Sequence, residues 1–116
     1  MENYQPLDTA FHALADPTRR AVVSRLLQGP APVKELAAPF AMGLPAFMKH
    51  LRVLERGGLI QSEKAGRVRT CRVNAARLAE AESWLAEQRA LWQARTDRLA
   101  EYVETQMCRS TDDAGG

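Results

Sequence analysis

Apolar positions along the first half of the chain recur at helical spacing. Leu7, Phe11 and Leu14 form the first such set, with Asp8 or Thr9 as the expected cap. Asp16-Pro17 reads as an N-cap followed by proline at the first helical position. The helix it opens is expected to turn Val22, Val23, Leu26 and Leu27 inward, and Gly29-Pro30 ends it. After Pro32 a short helix runs from Val33 to about Pro39, with Val33, Leu36 and Ala37 on one side. Leu44-Pro45 again places proline where a helix starts, and that helix runs to Arg56. Its apolar residues Phe47, Leu51 and Leu54 are four and three apart, as a buried stripe requires. Gly57-Gly58 supplies a left-handed cap and a turn.

The period then shortens to two. Leu59–Lys64 and Val68–Val73 flank the turn Ala65-Gly66-Arg67, which predicts a two-stranded hairpin. On its second strand Val68, Thr70 and Arg72 point one way, and Arg69, Cys71 and Val73 the other. Asn74 is placed to cap a long helix reaching about Met107. On that helix Leu78, Leu85, Trp92 and Leu99 fall seven apart, with Ala81, Gln88, Arg95 and Tyr102 three further on. Trp84, Leu91, Arg98 and Val103 widen the stripe. The last residues are small, polar and aperiodic. The expected organisation is one domain over 1–108, mainly α with a small two-stranded β-wing, and a disordered tail at 109–116.

A length of 116 residues excludes an enzyme built from separate cofactor and substrate domains. With 46% hydrophobic and 26% charged residues the composition is globular. No apolar run approaches the roughly 18 to 20 residues that cross a bilayer, so no membrane partner is expected. The N-terminal residues do not resemble a secretory signal, and Cys71 and Cys108 are too few for a disulfide framework. The expected location is cytoplasmic. Net charge is only +2, yet seven basic residues face two acidic ones between Leu44 and Val73. The rest of the chain carries nine basic and twelve acidic residues. A cationic middle on an otherwise acidic chain suits a face that meets a polyanion, or one that is simply solvated.

Two helices joined by a short turn and followed by a basic hairpin predict a winged helix-turn-helix. A helix fits the major groove, where base edges can be read. Of the helix from Leu44 to Arg56, the buried stripe leaves Pro45, Ala46, Lys49, His50 and Arg52 to face DNA. Lys64, Arg67 and Arg69 near the hairpin tip can reach the backbone or the adjacent minor groove. No nucleophile–base pair or phosphate loop is recognisable, so no enzymatic activity, cofactor or metal is expected. The competing reading is a winged helix used for protein contact or dimerisation only, with no specific DNA site.

The segments Ala13-Leu14-Ala15-Asp16-Pro17-Thr18-Arg19-Arg20, Glu35-Leu36-Ala37, Leu44 to Glu55 and Gly58-Leu59-Ile60 resemble ArsR/SmtB-type transcriptional regulators over roughly residues 7 to 105. The resemblance implies a homodimeric winged-helix repressor whose recognition helix is the Leu44–Arg56 segment and whose wing is the 59–73 hairpin. The first and last helices would form the dimer interface, and the apolar residues Leu7, Phe11, Leu14, Trp84, Leu85, Leu91, Trp92, Leu99 and Tyr102 are expected at that seam, the alternative being that they pack inside one subunit. Such a dimer would offer two recognition helices roughly 34 to 36 Å apart to an inverted-repeat operator in double-stranded DNA. Metal-sensing members carry a Cys-x-Cys pair before the recognition helix, or Asp/His ligands on the last one. The stretch Val33–Pro39 has neither cysteine nor histidine, and His12 and His50 stand alone, so the chain resembles a branch without those ligands and its effector is unassigned. Pro32 also stands where relatives often have a threonine, and Phe47 and Met48 are bulkier than the usual residues there.

Overall fold

The computed structural model describes residues 5–115. Chain contacts divide it into a unit ending at Ala81 and a second beginning at Glu82. Most helical stripes become helices where their punctuation places them. Helix α2 (Pro17–Leu26) is capped by Asp16, whose side chain accepts from the Arg19 N–H at 3.0 Å, with Pro17 in its first turn. Helix α4 runs Leu44–Arg56, and Val33–Ala37 forms the short α3.

Helix α1 (Gln5–Leu14) departs from expectation at its start. It begins early enough that Asp8 and Thr9 lie inside it, and the Thr9 hydroxyl donates to the Pro6 carbonyl at 3.1 Å. Pro6 fits there because first-turn N–H groups have no helical partner to lose. A second departure is Leu27, expected inside but 60% exposed. It is the C-cap of α2, a quarter-turn past the stripe that Val22, Val23 and Leu26 bury.

Strands β2 (Ile60–Ala65) and β3 (Val68–Val73) pair antiparallel around Gly66 as the hairpin predicted. The sheet nonetheless has three strands, not two. Ala31–Pro32 forms β1 and pairs antiparallel with β3, Ala31 opposite Cys71 and Pro32 opposite Thr70, giving the order β1-β3-β2. Pro32 is tolerated because β1 is an edge strand with a free side.

The core of the first unit gathers Val22 and Leu26 of α2, Leu36 of α3, the Phe47, Leu51 and Leu54 stripe of α4, and Leu59, Ile60 and Cys71 of the sheet. Ala10 and Ala13 bring α1 close against the end of α4. A Cβ on Gly57 would lie 2.9 Å from the Thr9 carbonyl oxygen, so this crossing needs glycine. Each large apolar side chain so buried is worth roughly 1.5 to 3 kcal/mol relative to exposure. Gly58 adopts φ +73°, and the turn delivers Leu59 into the core.

Helix α5 spans Ala75–Gly115, and the Asn74 carbonyl accepts from Arg77 and Leu78 at its start. It continues past the end near Met107 that the sequence suggested, because neither glycine nor proline occurs before Gly115. The tail expected at 109–116 thus falls on helical backbone up to Gly115, and residue 116 lies outside the described residues. Leu78 packs on the core of the first unit and Ala81 is buried. Among the described side chains of the second unit none is buried. Trp84, Leu85, Leu91, Trp92, Leu99, Tyr102, Val103 and Met107 are all exposed, from 42% to 67%.

Candidate nucleic-acid interface

The periodicity of α4 decides which of its side chains can meet a ligand. Phe47, Leu51 and Leu54 are buried, and at 100° per residue Pro45, Lys49, Arg52 and Arg56 fall on the opposite side. All four are exposed, as is Ala46 beside them. The side chains of Lys49, Arg52 and Arg56 make no hydrogen bond or ion pair with any described residue. Sequence reasoning left Arg56 out of the candidate set. The four-and-three spacing that picked Lys49 and Arg52 continues to it.

His50 sits differently. It is only half exposed and turns toward α2, with Nδ1 3.2 Å from Arg19 Nη1 and 3.7 Å from Asp16 Oδ2. Arginine can only donate, so the shorter contact is a hydrogen bond when Nδ1 is bare and the proton is on Nε2. A protonated ring would instead pair with Asp16. Of the five α4 residues proposed from sequence, His50 is therefore the one tied into the protein's own frame.

Arg19 is a second residue that sequence reasoning missed. Its Nε donates to the Ala13 carbonyl at 2.8 Å and its Nη2 to the His12 carbonyl at 3.2 Å, satisfying the C-terminus of α1. With Nη1 on His50, one guanidinium joins α1, the start of α2 and α4. The partners lie six to thirty-one residues away, beyond any local pattern. Asp16 completes the cluster. The Arg19 N–H, foremost, holds its carboxyl below the usual carboxylate value, against the opposing effect of burial, and His50 and the Arg19 side chain add to the lowering.

The wing divides its cations into two kinds. Arg69 Nη1 donates to Ser62 Oγ at 3.0 Å, and that hydroxyl donates to Glu55 Oε1 at 2.6 Å, linking the ribbon to α4. Arg72 pairs with Glu63 at 3.4 Å and donates to Gln61 at 3.2 Å. Lys64 and Arg67 are exposed and hold no described partner. Lys64 lies directly opposite Arg69, so committed and uncommitted cations sit side by side near the turn.

Cys71 is fully buried in the sheet. Burial, and secondarily Glu55, push its thiol upward, while Arg69 pulls weakly the other way. A thiol so placed has little thiolate for redox sensing. Cys108 is exposed on α5. Among the described residues, no three His, Cys, Asp or Glu side chains gather as a metal would need, and no helix is long and apolar enough to cross a membrane.

Of the residues expected at a dimer seam, Leu7, Phe11 and Leu14 are half-buried on α1 in the first unit. Trp84, Leu85, Leu91, Trp92, Leu99 and Tyr102 are exposed along α5 in the second.

Comparison with known proteins accords with this geometry. A helix-turn-helix domain family matches residues 14–63. The HTH-type transcriptional regulator Rv2034 of Mycobacterium tuberculosis is 42% identical over 79 residues, covering 68% of this chain and 74% of that protein. The crystal structure of an ArsR family transcriptional regulator, RHA00566, is similar with a TM-score of 0.74 and 55% identity, covering 77% of this chain and 98% of that one. A homodimeric winged helix-turn-helix DNA-binding domain from Mycobacterium bovis, Mb0332, is similar with a TM-score of 0.58 and 25% identity, covering 87% of each chain.

Proposed function

This chain belongs to the ArsR family of winged helix-turn-helix transcriptional regulators, and from that premise we propose that it represses transcription as a homodimer bound to an inverted-repeat operator. Helix α4 enters the major groove with Lys49 and Arg52 toward base edges, Pro45 and Ala46 at the groove surface, and Arg56 toward a phosphate. Lys64 and Arg67 at the wing tip take backbone phosphates, and Arg69 supports them while anchored to Ser62. His50 acts mainly by fixing the helix against Arg19 and Asp16. Phosphate contacts supply most of the affinity, and the α4 residues supply discrimination.

One observation carries this reading. Lys49, Arg52 and Arg56 on the outer face of α4 and Lys64 and Arg67 on the wing are exposed and hold no described side-chain partner, while Arg72 pairs with Glu63 and Arg69 is held by Ser62. Five such cations gathered on these two elements suit a polyanion.

Dimerisation is supported by the apolar side chains along α5. Two tryptophans, three leucines and a tyrosine on one helix are more apolar surface than a soluble monomer ordinarily leaves to water. The homodimeric state of the Mycobacterium bovis relative points the same way.

Selection of bound fragments from random duplex DNA, with sedimentation of the same protein, tests both halves. The expected result is a dimer that enriches a two-fold symmetric sequence, and Leu99→Glu with Trp92→Glu should return it to monomer. A dimer that enriches no duplex would leave a protein-contact module in place of a regulator.

A further inference from the structure

A cleft of about 460 Å³ opens between α3, the first turn of α4 and the wing. That volume falls within the roughly 300 to 1,000 Å³ typical of small-ligand sites. Its floor is apolar: Pro32, Val33, Leu44, Met48 and Val68. Leu44 and Val68 are 58% and 52% exposed, so the floor is open to solvent. Its rim is cationic: Lys34, Lys64, Arg67 and Arg69, with no carboxylate among the lining residues. Of these four, only Arg69 holds a described partner, and that partner is a neutral hydroxyl.

A DNA backbone could satisfy such a rim, but it brings only charge and water to the floor. A small molecule with an anionic head and an apolar body matches both parts. Its head would replace water at two or more unpaired cations, and its body would cover Leu44, Met48 and Val68. We propose that this cleft binds a small amphiphilic carboxylate whose occupancy excludes DNA. Binding itself follows from the cleft alone. Its effect on DNA rests on the reading above, because Lys64 and Arg67 would serve both ligands.

The geometry also limits the ligand. A cleft open on one side and rimmed by four cations suits a single carboxylate on a flexible or planar apolar body, and a neutral analogue of equal length would leave the rim unpaired. Decanoate at submicellar concentration is a suitable probe, with 1-decanol and acetate as controls lacking the head or the body.

Calorimetric titration of the full chain without DNA should show saturable decanoate binding, with both controls at least about tenfold weaker. Leu44→Gln combined with Val68→Thr alters only exposed floor positions and should weaken decanoate by a similar factor. Intermolecular nuclear Overhauser effects from decanoate to the Val68 methyls of the unmutated protein supply a readout independent of any variant. Absent saturation, equal affinity for decanol, or Overhauser contacts confined to α5 would each overturn the site. Decanoate should also raise the protein concentration needed to shift a selected DNA fragment, and the double variant should bind that fragment without responding to decanoate. Saturable binding at Val68 by a protein that retains no DNA would uphold the cleft and defeat the DNA reading instead. DNA binding unaffected by a saturating dose would defeat the exclusion.

Discussion

Asp16 offers the sharpest test, because one carboxylate both caps α2 and faces His50 of α4. Its oxygen accepts from the Arg19 N–H at 3.0 Å and lies 3.7 Å from His50 Nδ1. Asp16→Ala deletes the cap, which typically costs about 1 kcal/mol and up to about 2. Asp16→Asn keeps an oxygen able to cap and removes only the charge, whose interaction with the helix N-terminus is worth about 0.3 to 1 kcal/mol. Urea denaturation followed by circular dichroism, at one fixed protein concentration, should therefore rank stability as unmutated, then Asn, then Ala. The pH dependence has a definite sign. The folded state holds this carboxyl below its ordinary value, so its contribution is complete at neutral pH and is lost as pH falls through the folded value. The gap between the unmutated protein and Asp16→Asn should accordingly be full at pH 7 and close below about pH 4. Other carboxylates cancel in that difference. An Asn variant as damaged as the Ala variant at pH 7, or a gap that persists undiminished well below pH 4, would refute the capping account.

Three further outcomes are expected. Gly58→Ala should destabilise by about 1 to 2 kcal/mol in the same assay, since φ is +73° and the new methyl would meet Arg77 Nε at 2.7 Å; an unchanged midpoint would show that the turn can relax. Cys71 should react with an aromatic disulfide reagent only after urea unfolds the chain, and labelling at the rate of an exposed thiol would contradict its burial. Arg67→Ala should weaken specific and random DNA alike and lower the salt slope by about one, whereas Lys49→Ala or Arg52→Ala should shift sequence preference by about 1 to 3 kcal/mol per base contact; identical behaviour on titrating salt and sequence would erase that distinction.

The helices were legible where period and punctuation agreed. Asp16-Pro17 opens α2 and Leu44-Pro45 opens α4 as read, because caps and first-turn prolines act within one turn. Strand β1 was not legible. Two residues, one of them proline, carry no alternation, and only the distant Thr70 and Cys71 make Ala31–Pro32 a strand. Leu27 was misassigned because composition cannot say on which residue a helix releases its last turn. At the candidate interface, Lys49, Arg52, Lys64 and Arg67 followed from spacing. The commitment of His50 to Arg19 and of Arg69 to Ser62 did not, since both depend on elements that meet only after folding. The cleft beside Leu44 and Val68 was hidden for the same reason.

The pairing of Ala31 and Pro32 with β3 has a mechanical outcome. The heel of the ribbon is stitched to the segment between α2 and α3, so the hairpin cannot swing as a free flap. Only the stretch past Thr70 toward Gly66 has room to flex. A duplex gripped by this protein would then be met by a stiff bracket with a short supple fingertip, and the reach of that fingertip, rather than any hinge, would decide how far along the groove it feels.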